Sequence, residues 1–339
     1  MGAILGELRR VQGAPLAYRQ AIRASGLLLT VLLVLWAVDR LDLGVYATFG
    51  VFATIYGGPR RWAGRWRLQA ALGAVLTLAV ATGAVAALGD ARHWVAVLLA
   101  AVWAGVGAAL SDRYRWLPPG PLFPVFAVAT SSAIPTTTHT VLMAPLVTAV
   151  CATAGVALGA LEVGLARRLG RPTEARPTLP PVPAAHRRRV QVVRCAVAVL
   201  VAGSLATAMQ VGHPYWAMVA AVAPLSAFSV RHQLARGVNR AVGTIAGLGV
   251  AGLLLLAPLP TLAVLLVVAG LQGVTELIVV RHYGLAMLSI TPLALIMVHL
   301  ADPEPIGQLL FDRGVETLIG VGIGLAAAVL TRPRAARVS

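Results

Sequence analysis

Long apolar stretches free of charge recur from one end of this sequence to the other, and they decide what it can fold into. A helix needs about 20 mostly apolar residues to cross the hydrocarbon core of a bilayer. Residues 24–38, 43–59, 68–89 and 93–111 each supply one such span. Residues 116–161 contain no Asp, Glu, Lys or Arg, which is too long for one helix. Pro118, Pro119, Pro121 and Pro124 open that block and the stretch from Pro135 to His139 interrupts it, giving spans near 122–135 and 140–164. Six more follow at 194–210, 214–230, 238–257, 260–280, 284–300 and 309–331. The expectation is an all-α integral membrane protein of about twelve transmembrane helices. The first apolar run has no small-residue cleavage site after it, so it reads as a span and not a secretory signal.

Composition narrows the class further. Of 339 residues, 58% are hydrophobic and 12% charged, against about 25% charged in an ordinary soluble domain. A soluble globular enzyme and a disordered chain are both excluded. The net charge is +16 and all 28 basic residues are arginines. They lie between the apolar runs, and aromatic residues make up only 6%, so the basicity points to loops on one side of a membrane and not to nucleic acid. Placing the N-terminus inside puts 25 arginines on the cytoplasmic side and leaves Arg40, Arg92 and Arg313 outside. Both termini are therefore expected in the cytoplasm. Cys151 and Cys195 are far apart and read as small packing residues, with neither disulfide nor zinc spacing. No cofactor is expected: there is no Gly-x-x-x-x-Gly-Lys loop and no His/Cys metal cluster in the sequence.

Residues 165–190, rich in Pro and Arg, read as a cytoplasmic linker between a six-helix module at 1–164 and another at 191–339. The halves are weakly alike. Arg23 leads to Gly44 and Tyr46, as Arg194 leads to Gly212, Tyr215 and Trp216; Gly155 and Gly159 answer to Gly320 and Gly324. An even number of spans per half makes the repeats parallel, with a pathway expected at their interface.

The second half carries Tyr215-Trp216, Arg236 and Arg240 followed by Gly243-Thr244 and Gly247, Tyr283-Gly284-Leu285-Ala286-Met287, Thr291-Pro292, and Asp312-Arg313 with Glu316-Thr317 and Gly320. These residues resemble the fusaric acid resistance protein-like (FUSC) family over about 140 residues. The first half is similar only loosely, since no Gly-Thr follows its arginines at 60, 61, 65 and 67. That family is grouped with the aromatic acid exporters and is more distantly similar to plant aluminium-activated malate transporters. The resemblance implies export of small organic anions, typically aromatic carboxylic acids, driven by protons.

Ionisable groups at membrane depth cost about 2.5–3.5 kcal/mol even on the insertion scale, so each needs a reason. Arg236 and Arg240 share a helix face and could hold a carboxylate bidentately or anchor the helix by snorkelling. Arg313, beside Asp312 and three residues before Glu316, reads either as an outer anion site with Glu316 accepting a proton or as a self-neutralising ion pair. Glu276 needs a partner such as Arg240 across helices, and Glu162 one such as Arg167 or Arg168. Tyr215 and Trp216 are belt aromatics or a stacking wall; His139, His213 and His299 read as interfacial or as proton shuttles. Thr244 is a candidate pathway residue, the paired glycines are packing sites, and Pro224 and Pro292 are expected helix breaks. The expected substrate-contacting set is thus Arg240, Arg236, Arg313, Trp216, Tyr215 and Thr244, with Glu276 and Glu316 coupling protons. Partners are a small organic anion, protons and membrane lipid, with a homo-oligomer left open. A passive organic-anion channel and a non-transporting scaffold or accessory subunit are the alternatives to a proton-coupled exporter of the bacterial inner membrane.

Overall fold

A computed structural model of the chain describes residues 17–57, 62–170, 184–227 and 229–331. Half of the linker expected at 165–190, together with Arg9, Arg10, Arg60, Arg61, Arg332, Arg334 and Arg337, lies outside the described residues. Among the described residues every regular element is a helix. In chain order they are α1 (Ala17–Ala37), α2 (Gly44–Phe52), α3 (Trp62–Ala86), α4 (Arg92–Tyr114), α5 (Leu122–Ala133), α6 (Thr138–Arg168), α7 (Ala185–Ala208), α8 (Tyr215–Leu225), α9 (Val230–Leu256), α10 (Thr261–Ile278), α11 (Tyr283–Ala301) and α12 (Ile306–Leu330). Short 3₁₀ turns extend α2 at both ends, so that helical backbone runs over Leu41–Ile55.

Nine of the twelve are long and apolar enough to cross a membrane; α2, α5 and α8 are shorter. This corrects the expectation of twelve full spans. The eleven residues of α8 rise only about 16 Å, against a hydrocarbon core of about 30 Å. The apolar run at 214–230 is longer than its helix because it contains the turn that ends it. Pro224 and Leu225 close α8, and the carbonyls freed there are taken by side chains. Arg236 Nε donates to Ala223 O (2.9 Å), Gln191 Nε2 to Leu225 O (2.9 Å) and Ser226 Oγ to Val222 O (3.0 Å). Pro292, by contrast, leaves α11 continuous to Ala301 and is not the break expected of it. The long helices overrun their apolar runs into arginine-rich ends, where Arg is a good helix former with a long apolar stem.

The short helices are the innermost ones. Every residue of α2 and of α8 is buried, as an all-apolar helix requires. The outer helices expose Leu142, Leu161, Leu253, Leu256 and Phe311 at 66%, 68%, 77%, 72% and 67%, a surface suited to hydrocarbon and not to water. The chain is a multi-pass membrane protein.

Within the first half α2 packs on α6, and α3 on both α5 and α6; α4 packs on α5 and α1 on α2. Within the second half α8 packs on α12, and α9 on both α11 and α12; α10 packs on α11 and α7 on α8. Between halves α4 meets α7, α1 meets α10, and α5 meets α8. The glycine pairs serve close packing as expected. A Cβ at Gly247 would lie 2.7 Å from Met287 O on α11, and one at Gly320 or Gly324 would strike the Ala217 or Ala221 carbonyl of α8.

Contacts between helix ends define two ends of the bundle. At the linker end, Gln20 reaches Ile55 O (3.1 Å) and Glu276 (2.9 Å), Arg23 pairs with Glu162 (2.6 Å), and Gly120 faces Ser226. Glu162 thus has a partner on α1, Arg23, that the sequence did not suggest. At the far end Gly44 lies against Met297, and Gly212 against Asp312.

Candidate functional site

A cavity of about 600 Å³ occupies the centre of the bundle, within the range of roughly 300–1,000 Å³ usual for small-ligand sites. Its lining includes Pro118, Ala227, Arg281 and His282, which join helices at the linker end, so the cavity opens there. Trp216, Met297 and Arg313 line it at depth.

Of the residues expected from sequence, Arg236, Arg240, Arg313, Trp216 and Glu276 line this one cavity, whereas Tyr215, Thr244 and Glu316 do not. Arg236 lies over the Tyr283 ring, 4.0 Å from its centroid, and Arg240 Nη1 donates to Tyr283 Oη (2.9 Å). One tyrosine thus orients two guanidiniums. Neither snorkels to lipid headgroups; Arg240 is only 3% exposed. Arg313 is 1% exposed and stacks 3.8 Å above Trp216. It is not at an outer interface, and neither Asp312 nor Glu316 comes within ion-pair distance of it. Linear counting had put Arg313 near a helix start, but α12 begins at Ile306 and carries it inward by two turns.

Arg240 Nε and Arg313 Nε and Nη1 are buried without a hydrogen-bond partner. Among the described residues, none of the guanidiniums of Arg236, Arg240 and Arg313 meets a carboxylate within 4 Å. Unpaired buried donors cost about 1–3 kcal/mol each, and more for a charge, so this arrangement calls for an anion. Glu276 does not answer that need. Its oxygens accept from Gln20 Nε2 and Gln272 Nε2, both at 2.9 Å, so its partners are two amides and not Arg240.

The apolar wall comes from the first half, and sequence reasoning missed it. Phe49, Phe52 and Tyr56 on and just after α2, and Phe123 and Phe126 on α5, all line the cavity. Ring contacts run without a gap from Tyr56–Phe123 (5.9 Å) through Phe123–Phe52 (4.8 Å), Phe52–Phe49 (6.1 Å) and Phe49–Phe126 (5.2 Å) to Phe126–Trp216 (5.2 Å). The signal was present: 49, 52 and 56 are spaced three and four apart, and 123 and 126 three apart, so each set shares a helix face.

Tyr215 packs behind Trp216, their centroids 4.7 Å apart, and is 2% exposed; the belt reading fails for both. Thr244 is fully buried between the glycines that touch α11. Glu316, also fully buried, accepts from the His213 backbone N–H at 2.7 Å. His213 is buried at 6% rather than interfacial. Cys151 and Cys195 are buried and free, as packing residues should be.

Residues 199–327 match the fusaric acid resistance protein-like family. That segment contains all eight site residues expected from sequence, while the aromatic wall of α2 and α5 lies outside it. A relative in Bacillus subtilis (strain 168), the uncharacterized membrane protein YvaC, is 25% identical over 142 residues. The likeness covers 42% of this chain and 22% of the length of that protein. No solved structure matches the chain.

Proposed function

We propose that the protein exports small organic anions, aromatic carboxylic acids above all, from the cytoplasm of a bacterium through its inner membrane. The observation that carries this reading is three guanidiniums without carboxylate partners in a cavity whose other wall is aromatic. A carboxylate takes the guanidinium fork bidentately, and an aromatic body fits between Phe126, Phe49 and Trp216. The likeness of residues 199–327 to the fusaric acid resistance protein-like family supports transport over catalysis. In this reading Arg240, Arg236 and Arg313 contact the carboxylate, Trp216 its ring, and Tyr215 and Thr244 support that wall from behind. Glu276 and Glu316 are the coupling carboxylates.

Architecture supports the same reading. The helix pairings inside 1–164 recur in order inside 191–339. Asp39 and Gln210 close α1 and α7 in the same left-handed turn, both at φ 56°. The two modules are then parallel repeats about an axis along the membrane normal, with the cavity between them. The linker end, with its arginines, is cytoplasmic, and the cavity opens toward the compartment from which an exporter loads.

The test is movement of labelled benzoate by the purified chain in proteoliposomes, with and without an imposed proton gradient. Accumulation against the benzoate gradient, only when the proton gradient is present, is the expected result. Downhill flux indifferent to that gradient means a passive pore, and absence of flux for several aromatic acids overturns the transport reading.

A further inference from the structure

Behind Trp216, on the side away from the cavity mouth, four ionisable side chains converge on the start of α8. His213 Nε2 stands 3.3 Å from Glu304 Oε2, and His213 Nδ1 3.5 Å from Asp312 Oδ2. The His213 backbone N–H donates to Glu316 Oε1 at 2.7 Å. His213, Asp312 and Glu316 are 6%, 4% and 0% exposed. His213 Nδ1, Asp312 Oδ2 and Glu316 Oε2 have no hydrogen-bond partner. Only Glu304 reaches water, with 30% of its side chain exposed.

Elementary chemistry makes this a place for a proton. A neutral imidazole offers one donor and one acceptor, so with a carboxylate at each ring nitrogen it sets one lone pair against another. The ring suits both neighbours only as imidazolium, unless a carboxyl carries the proton instead. The remaining charged groups leave the balance negative. Asp302 stands on the same α11–α12 connection, and the Tyr215 ring lies edge-on to His213 at 5.4 Å. Arg313 of α12 turns to Trp216. α7 near its end and all of α5 contribute no charge, and α4 brings only Arg92 and the exposed His93 to this end.

The cluster also touches the cavity wall. Glu316 ties the backbone of 213, two residues before Tyr215 and three before Trp216, and sits one turn beyond Arg313 on α12. We propose that His213, Glu304, Asp312 and Glu316 form a proton-binding latch, loaded from the far-end solvent at Glu304, whose occupancy sets the Trp216–Arg313 wall of the cavity. A proton taken from that solvent rests on the His213 ring or the Glu316 carboxyl. On Glu316 it weakens the charge-assisted bond that holds the start of α8 and frees α8 and α12 to part. Release toward the cavity, once α8 and α12 have parted, carries the proton down its gradient. The latch deepens the anion-export reading, and only the flux measurement below rests on that reading.

Two readouts decide it on the full chain. In nanodiscs, the part of the tryptophan emission removed by Trp216→Phe is followed against pH. A change on acidification that disappears in His213→Gln and moves to lower pH in Glu304→Gln is expected, because removing a carboxylate makes the site a poorer proton holder. An emission that ignores pH, or one that responds alike in wild type and both variants, overturns the latch. In proteoliposomes, the several-fold stimulation of benzoate movement by a proton gradient should fall to about onefold in Glu304→Gln and His213→Gln. Undiminished stimulation in Glu304→Gln, whose partly exposed side chain is the safer change for folding, overturns it too. A wild type that moves no benzoate at all defeats the export reading, and the emission result then decides the latch by itself.

Discussion

Arg240 is buried, its Nη1 is spent on Tyr283, and its Nε has no partner. A ligand carboxylate that completes this guanidinium gains charge-assisted bonds worth about 1.5–3 kcal/mol. Arg240→Ala should therefore weaken benzoate binding about 10- to 100-fold, measured by calorimetry on the purified protein. Arg240→Lys should fall between, since an ammonium keeps the charge and loses the fork. Wild-type affinity in Arg240→Ala removes this residue from the site. The aromatic wall makes a second, separable prediction. An aromatic pair adds about 0.5–1.5 kcal/mol beyond its buried area, so Phe126→Leu should narrow the preference for benzoate over a cyclohexane carboxylate about 2- to 10-fold. Equal loss for both acids means that Phe126 only fills space. Much of this chemistry was legible in the chain, because a charge at membrane depth announces itself: Arg240, Arg236 and Glu276 were all found so. Their partners were not legible. Gln20 meets Glu276 and Arg23 meets Glu162 across 256 and 139 residues of sequence, and no periodicity reports which helices touch. The aromatic wall escaped for the opposite reason, since phenylalanines inside an apolar run look like more of the run.

Among the elements, α5 coincides with its apolar run to within two residues, whereas α1, α7 and α9 begin seven to nine residues before theirs, and α2 and α8 end well short of theirs. Hydropathy measures how far an apolar stretch extends, whereas α2 and α8 sit inside the protein with apolar turns continuing past their ends. Burial of those turns removes the polar punctuation that marks a helix end at a surface. Their packing, however, rests on features the sequence did carry. Gly320 and Gly324 bring α12 onto the backbone of α8, where a larger side chain would meet the Ala217 and Ala221 carbonyls and could not be moved aside. Gly320→Leu should destabilise the protein by about 1–3 kcal/mol, the usual cost of overpacking, seen as earlier thermal unfolding in detergent. Gly322, on the same helix, has open space around its Cβ and is exposed. Gly322→Leu should unfold with the wild type. Equal loss from both would trace the effect to helix propensity or lipid contact and not to the α8–α12 junction.

For the whole molecule, the helix-end contacts and the arginine distribution arrive at one arrangement independently. The contacts group the start of α1 with the ends of α2, α6 and α10. Arginine counting puts those same segments on the side that holds 25 of the 28 basic residues. In the arrangement we propose, buried turns would complete the crossings begun by the three short helices inside protein, where irregular backbone is tolerated. Both native cysteines are buried, so a Cys151→Ala/Cys195→Ala background suits labelling with a membrane-impermeant maleimide. Asp90→Cys, on the exposed α3–α4 turn, should react in intact cells. His186→Cys, exposed at the start of α7, should react only in inverted vesicles. Labelling of both from one face would break the alternation and with it the parallel-repeat reading. Ala227→Cys, at the cavity mouth, should react from the His186 side alone, and benzoate should slow it. Protection there would tie the aromatic wall, the guanidiniums and the cytoplasmic opening to one ligand, which no single substitution inside the cavity can do.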